Sequence, residues 1–167
     1  MSYKYISKYK QFENDEVDNL KNILQKKNGS PYSNILEVGT QAGLVTLMLS
    51  EVAEKVTTID DETFWSPSTR DHLKLNHITN VNFYQNNNIT EMFEDKIAEK
   101  PEVVYVDTEK VSKARIVSII RDTQKNDSNY KSVLFIHRSE GKFDVETIAD
   151  SKKTTRKKAP VDKTPDA

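Results

Sequence analysis

Apolar positions along the chain alternate between helical spacing and short unbroken runs. From about Asn14 to Lys27, Val17, Leu20, Ile23 and Leu24 recur at the spacing of one helix face. Asn14 reads as its N-cap, Asp15 and Glu16 complement the helix dipole in the first turn, and Asn28-Gly29-Ser30-Pro31 stops it. A buried strand follows over Ile35–Val38, a helix from Ala42 to about Val52, and a second strand over Lys55–Asp60. Ser66-Pro67 opens a helix that runs to about Asn76, with serine as cap and proline at the first helical position. A third strand spans Asn80–Tyr84, a helix Ile89–Glu99, and a fourth strand Glu102–Asp107. Val111 to about Lys125 is helical, with Val111, Ala114, Ile116, Val117, Ile119 and Ile120 available to the core. Ser132–His137 is a fifth strand, and after Gly141 the stretch Phe143–Ile148 has room for one more short element. Five strands alternate with helices, and the strands are continuous apolar runs. That pattern predicts a parallel sheet covered by helices on both faces, a three-layer α/β sandwich.

Composition narrows the classes of function. The 167 residues suffice for one domain with a real core, flanked by solvated ends, since 31% are charged and 35% hydrophobic. With no cysteine, disulfides, thiolate metal sites and cysteine nucleophiles are excluded. Apolar runs are far shorter than the ~18–20 residues that span a bilayer. Met1-Ser2-Tyr3-Lys4-Tyr5 does not begin a secretory signal. The expectation is a soluble cytoplasmic protein with no membrane partner.

Charge is uneven. Residues 151–167 hold six cations (Lys152, Lys153, Arg156, Lys157, Lys158 and Lys163) against Asp162 and Asp166, in a chain of net charge −1. The domain reading is therefore an N-terminal helical segment (1–33), a Rossmann-like domain (34–150) and a basic disordered tail (151–167). Such a tail can bind nucleic acid phosphates without sequence preference. It lacks the interleaved aromatic residues that stack on bases.

In an open parallel sheet, ligands bind beyond the carboxyl ends of the strands. Here those ends present Glu37 and Gly39, Asp60 and Asp61, Tyr84 to Asn88, Asp107, and His137. Gly39 and Gly43 allow a sharp turn and close backbone approach, and the next helix begins with a positive dipole end suited to an anionic group. Asp60 follows Gly39 at the distance where an acid accepts hydrogen bonds from both hydroxyls of a ribose, or else caps its own loop. The pattern is Gly39-x-x-x-Gly43, neither the G-x-G-x-x-G of a pyrophosphate binder nor a P-loop.

The stretch Ile35-Leu36-Glu37-Val38-Gly39-Thr40-Gln41-Ala42-Gly43 resembles the first motif of class I S-adenosylmethionine-dependent methyltransferases, in the E-x-G-T-x-x-G form of O-methyltransferase-like members. The resemblance runs from about Asn34 to Gly141. It implies strand order 3-2-1-4-5, which right-handed crossovers also favour. It further implies that Glu37, Gly39, Thr40 and Gly43 form a loop around the methionine part of S-adenosylmethionine. Asp60 would hold the ribose, Asp61 and Glu62 would lie near the adenine edge, and Asn87 would stand where the family usually has an adenine-binding acid. Asp107 matches the acid after the fourth strand, which contacts the substrate or the methionine amine.

Two departures stand out. About 25 residues follow the fifth strand before the basic tail, too few for the family's closing antiparallel hairpin and its helix. The fifth strand is then an exposed edge, open to pairing in a homodimer. The metal-dependent branch would also want an Asp-Asn-like pair where this chain has His137-Arg138-Ser139, so no catalytic metal is expected.

Methyl transfer needs alignment, exclusion of water and sometimes removal of a proton. His137 is the candidate base, or else a loop-packing histidine, and Asp107 is the second candidate catalytic residue. His72 and His77 are expected at the surface, Phe64 and Trp65 in the pocket wall or the core, and Asn86-Asn87-Asn88 in a loop. The leading reading is a methyltransferase acting on an unidentified acceptor, a small molecule first among them. The alternatives are a catalytically degenerate fold used for binding or assembly, and an NAD-dependent oxidoreductase, against which the glycine spacing argues.

Overall fold

The computed structural model describes residues 14–25, 29–61 and 65–150. The elements run α1 (Asn14–Leu24), β1 (Tyr32–Val38), α2 (Leu44–Val52), β2 (Ala53–Asp60), α3 (Trp65–Leu75), β3 (Val81–Gln85), α4 (Ile89–Lys96), β4 (Val103–Val106), α5 (Lys113–Asn126), β5 (Ser132–Ser139) and β6 (Lys142–Ala149). A 3₁₀ turn, Ile97–Glu99, finishes the helical stretch after β3. Among the described residues the strands form one sheet of order β3-β2-β1-β4-β5-β6. The first five are mutually parallel and β6 is antiparallel to β5.

Side chains leave a strand alternately on its two faces, so neighbours in sequence enter opposite layers. Ile35, Val103 and Tyr105 pack with Leu20 and Leu24 of α1 and with Val45, Met48 and Leu49 of α2. Leu36, Val104 and Val106 pack on the other face with Ile89 and Phe93 of α4 and Ile116 and Ile120 of α5. Leu73 of α3 meets Leu47 of α2, placing α3 in the first layer. This is the expected three-layer sandwich. In α5, Ile116, Ile119 and Ile120 are buried while Ala114 is exposed.

The strand count is corrected from five to six, and β5 is not an edge. Glu140 (φ 50°) and Gly141 (φ 74°) form a two-residue turn between the paired Ser139 and Lys142. Positive φ at both central residues is the signature of a type I′ turn, whose twist matches a hairpin. A single antiparallel strand thus closes the sheet where the sequence reading found too few residues for a two-strand hairpin and a helix. It is anchored by Ile148, which is buried, and by the buried Gln124 side chain, whose amide donates to the Ile148 carbonyl at 2.9 Å. The β5-to-β5 pairing expected for a homodimer therefore has no edge to use.

No helix among the described residues is long and apolar enough to cross a membrane. The expectations for Glu62, Phe64, the side chain of Trp65 and the tail 151–167 lie outside the described residues.

Candidate active site

β1 lies between β2 and β4, and the loop leaving it carries the glycines. The Gly39 N–H donates to the Ile59 carbonyl at 2.8 Å, and the Asp107 N–H donates to the Val38 carbonyl at 2.9 Å. Three chain segments thus converge on Gly39. Its φ is 95°, and a Cβ there would stand 2.8 Å from the Asp107 carbonyl carbon and closer still to its oxygen. Both the conformation and the packing require glycine. Gly43 (φ 88°) leads into α2, and a Cβ there would meet the Thr69 methyl at 2.9 Å.

Gln41 bridges the loop. It adopts φ 47°, a left-handed conformation uncommon for a side-chain-bearing residue. Its N–H donates to Asp60 Oδ2 at 2.9 Å, its Nε2 donates to the Asp107 carbonyl at 2.9 Å, and its own carbonyl accepts from the Thr69 hydroxyl. These bonds hold the strained backbone.

Glu37 supports the loop from beneath. It shares a register level with Thr58 of β2 and Tyr105 of β4, on the face covered by α2. The hydroxyls of Thr46 and Thr58 both donate to Glu37 Oε1, at 2.5 Å each. Because the Thr58 proton is committed there, Thr40 donates to Thr58 across 2.6 Å. A line of hydroxyls therefore ties the loop, α2, β1 and β2 to one carboxyl. Burial pushes that carboxyl up to about 8, the two threonine hydroxyls oppose the shift, and Asp107 and Asp60 add to it. Glu37 is thus mainly the neutral acid at pH 7. Its Oε2 and the Tyr105 hydroxyl are buried with no hydrogen-bond partner among the described residues.

Above this layer opens a cleft of about 770 Å³, at the carboxyl ends of β1, β2, β4 and β5. Its walls include Gly39, Gln41, Asp60, Asp61, Asp107, Lys110, His137 and Arg138. Asp60 Oδ1 accepts from the Asp61 N–H at 2.8 Å. Desolvation raises the Asp60 carboxyl above the usual range, opposed by the Gln41 amide, the Lys110 charge and the Thr40 amide. Lys110, after β4, makes an ion pair with Asp61 across the cleft. Asp107 is buried, and its Oδ1 lies 3.5 Å from Arg138 Nη1. The His137 ring stacks on Phe135, with centroids 6.4 Å apart.

Of the sequence-derived site residues, the fold brings Gly39, Asp60, Asp61, Asp107 and His137 into one cleft. Glu37 is buried beneath the loop, and Thr40 and Gly43 are buried within it, rather than on the cleft wall. Asn87 is exposed and off the wall. Its neighbour Asn88 caps α4, accepting from the Glu91 N–H at 3.1 Å and donating to Glu91 Oε2 at 3.1 Å. His77 is exposed, but His72, expected at the surface, is buried with Nδ1 3.5 Å from the Ala42 carbonyl. Its helix packs on the loop that Thr69 also grips, so that face is interior. The sequence reading missed Gln41, Lys110 and Arg138 as wall residues. Gln41 sat inside the glycine motif and could have been found; the two cations carry no local signal. No group of three or more metal-ligating side chains occurs among the described residues.

No family model matches the sequence, and no curated protein matches it. Solved structures do. A Staphylococcus aureus protein assigned as a caffeoyl-CoA O-methyltransferase superposes with a TM-score of 0.63 at 19% identity, over 82% of this chain and 66% of that one. Precorrin-6y C5,15-methyltransferase from Geobacter metallireducens gives 0.59 at 14% identity, over 77% and 64%. A Podospora anserina methyltransferase with S-adenosylhomocysteine bound gives 0.52 at 16% identity, over 73% and 49%. The chain thus spans between half and two thirds of the length of these proteins. Architecture, sheet order and these likenesses agree: the chain has the fold of the class I S-adenosylmethionine-dependent methyltransferases.

Proposed function

We propose that this chain binds S-adenosylmethionine in the cleft and transfers its methyl group to an acceptor. The observation that carries the reading is the packing of Gly39 on the Asp107 carbonyl. It leaves bare backbone at the centre of the cleft, with one acid on either side, Asp60 at the end of β2 and Asp107 after β4. That bare backbone between two acids fits the methionine portion of an adenosine-bearing cofactor.

In this reading Asp60 accepts from the ribose hydroxyls, a role for which a carboxylate keeps lone pairs beyond the backbone amides it already serves. The start of α2 presents N–H groups toward the loop. Asp107 faces the amine or the acceptor, and Asp61 borders the adenine end. Glu37 supports the loop from below, and Thr40 and Gly43 shape it from within. Asn87 would reach the adenine only by a movement of its loop. When bound, the cofactor supplies an electrophilic methyl on a cationic sulfur. His137 would take the acceptor's proton, and the β4–α5 loop and the β5–β6 turn would shield the cleft from water. The acceptor, a small molecule first, and nucleic acid contacts through residues 151–167 belong to the same proposal, as do the domain limits 1–33, 34–150 and 151–167 and the cytoplasmic setting.

The test is calorimetric titration with S-adenosylmethionine and S-adenosylhomocysteine, with NAD as the control. Both sulfur ligands bind and NAD does not. At ~100 times the dissociation constant, either adds about 2.7 kcal/mol of stability, visible as a thermal shift. Absence of binding by both overturns the reading.

A further inference from the structure

Arg138, the penultimate residue of β5, stands between two carboxylates from distant parts of the chain. Its Nε and Nη2 each lie 3.0 Å from Glu16 Oε2, and its Nη1 lies 3.5 Å from Asp107 Oδ1. The three side chains are 19%, 12% and 9% exposed, in the order Arg138, Glu16, Asp107. Glu16 sits in the first turn of α1, which the core holds through Leu20 and Leu24. The guanidinium fork is planar and takes acceptors on separate edges, so it can serve both acids at once and fix their relative placement.

We propose that Arg138 is a positioning residue of the cleft: it holds the Asp107 carboxylate ionised and aimed at a cationic ligand group, and Glu16 holds Arg138 in turn. The ligand's identity rests on the methyltransferase reading; the arrangement of the three residues does not.

Charge makes the case. Several acids share this region: Glu37 of β1 feels the charges of Asp107 and Asp60, and Tyr105 of β4 feels those of Asp107, Glu37 and Glu16, opposed by Arg138. Arg138 places a cation among them, 3.5 Å from Asp107 Oδ1, and lies with Asp107 on the cleft wall, which also carries Lys110, Lys113 and His137. Without it, burial and like charge would both drive Asp107 toward its neutral form. A carboxylate kept ionised on the cleft wall suits a ligand carrying an ammonium or sulfonium group. Glu16 has a separate effect, since α1 is thereby tied to the site and its docking and the orientation of Asp107 are coupled.

The experiment uses the full chain and two readouts. Carboxyl NMR follows the titration of Asp107 in wild type, Arg138→Gln, Arg138→Lys and Glu16→Gln. Arg138→Gln raises the Asp107 titration by at least one pH unit, Arg138→Lys restores most of it, and Glu16→Gln leaves it at or below wild type because the whole guanidinium charge then falls on Asp107. In parallel, the affinity for S-adenosylhomocysteine is measured at pH 8 and pH 6. Arg138→Gln loses at least tenfold between the two, and wild type less than threefold. An unmoved titration, or a pH-independent affinity equal to wild type in Arg138→Gln, overturns the proposal. If Arg138→Gln does not fold, an Asp107 titration in Glu16→Gln above that of wild type overturns it instead. If wild type does not bind S-adenosylhomocysteine while the titration moves as stated, the positioning of Asp107 stands and the methyltransferase reading falls.

Discussion

The carbonyl oxygen of Asp107 occupies the space that a side chain on residue 39 would need. A Cβ on Gly39 would come 2.8 Å from the carbonyl carbon, and φ at that position is 95°. The obstructing group is backbone, held by the bond its oxygen accepts from Gln41 Nε2 and by the adjacent Asp107 N–H bond to Val38, so it yields less easily than a side chain. Gly39→Ala should therefore destabilise by roughly 2–4 kcal/mol, combining left-handed strain with overlap. Gly43→Ala is the contrast. It carries similar strain at φ 88°, but its obstruction is the side-chain methyl of Thr69, so its cost should be nearer ~1–2 kcal/mol. Thermal or denaturant unfolding of the two variants ranks them. Equal losses would mean that strain alone, and not contact with Asp107, fixes glycine at 39.

Glu37 makes stability depend on pH in the opposite sense from an ordinary ion-paired acid. Its carboxyl is pushed up to about 8 in the folded protein, from an ordinary value of 4.5. Between these limits the native state holds a proton that the unfolded chain has lost. The contribution is whole below pH ~4.5 and is lost as pH rises toward ~8. Glu37→Gln keeps an oxygen to accept from Thr46 and Thr58 and cannot ionise. Melting curves from pH 5 to 8.5 should show the variant gaining on wild type as pH rises, by about 5 °C or more at the alkaline end. A constant difference between the two curves would show that Glu37 does not titrate in this window.

Asp60 must be probed without emptying its position, because its two oxygens receive the Gln41 and Asp61 N–H groups. Alanine would leave buried amides without partners, at about 1–3 kcal/mol, and would confuse folding with binding. Asp60→Asn keeps one acceptor and removes the charge. Its melting temperature should stay within a few degrees of wild type. Its affinity for S-adenosylhomocysteine should fall at least tenfold, the size of one charge-assisted bond. Unchanged affinity would return Asp60 to the role of loop cap.

The parts of the site that were legible in the sequence are those in which backbone chemistry or strand termination restricts residue type. Gly39 and Asp60 announce themselves because a turn and a strand end each leave a mark in the order of residues. The layers were legible because Ile35 and Leu36, or Val103 and Val104, alternate between two apolar cores. Arg138 was not legible. Its partners lie on α1 and after β4, and no local pattern reports a contact between residues 16 and 138. The surroundings of Glu37 were not legible for a related reason. Its motif marks it as near the ligand, while its burial follows from Thr46 and Thr58, which meet only in three dimensions. The sixth strand was half legible, as a short element over Phe143–Ile148. The decisive sign was Glu140-Gly141, two residues able to take positive φ between runs of strand character.

That sixth strand supplies the last prediction. β6 is mostly exposed, with Val145 44% exposed, so it could be taken for an ornament on the sheet. Ile148 argues otherwise. It is 3% exposed and packs in the same core as Ile116, Ile120, Val133 and Phe135, while the buried Gln124 amide grips its carbonyl. Truncation to alanine removes a well-packed side chain from a place that the sheet and α5 cannot easily collapse into. Ile148→Ala should therefore cost ~2–4 kcal/mol. Val145→Ala, on the same strand, should cost less than ~1 kcal/mol. Chemical denaturation gives both values in one series. If the two substitutions cost the same small amount, β6 is not part of the core, β5 becomes the effective edge, and pairing between chains through that edge is open again.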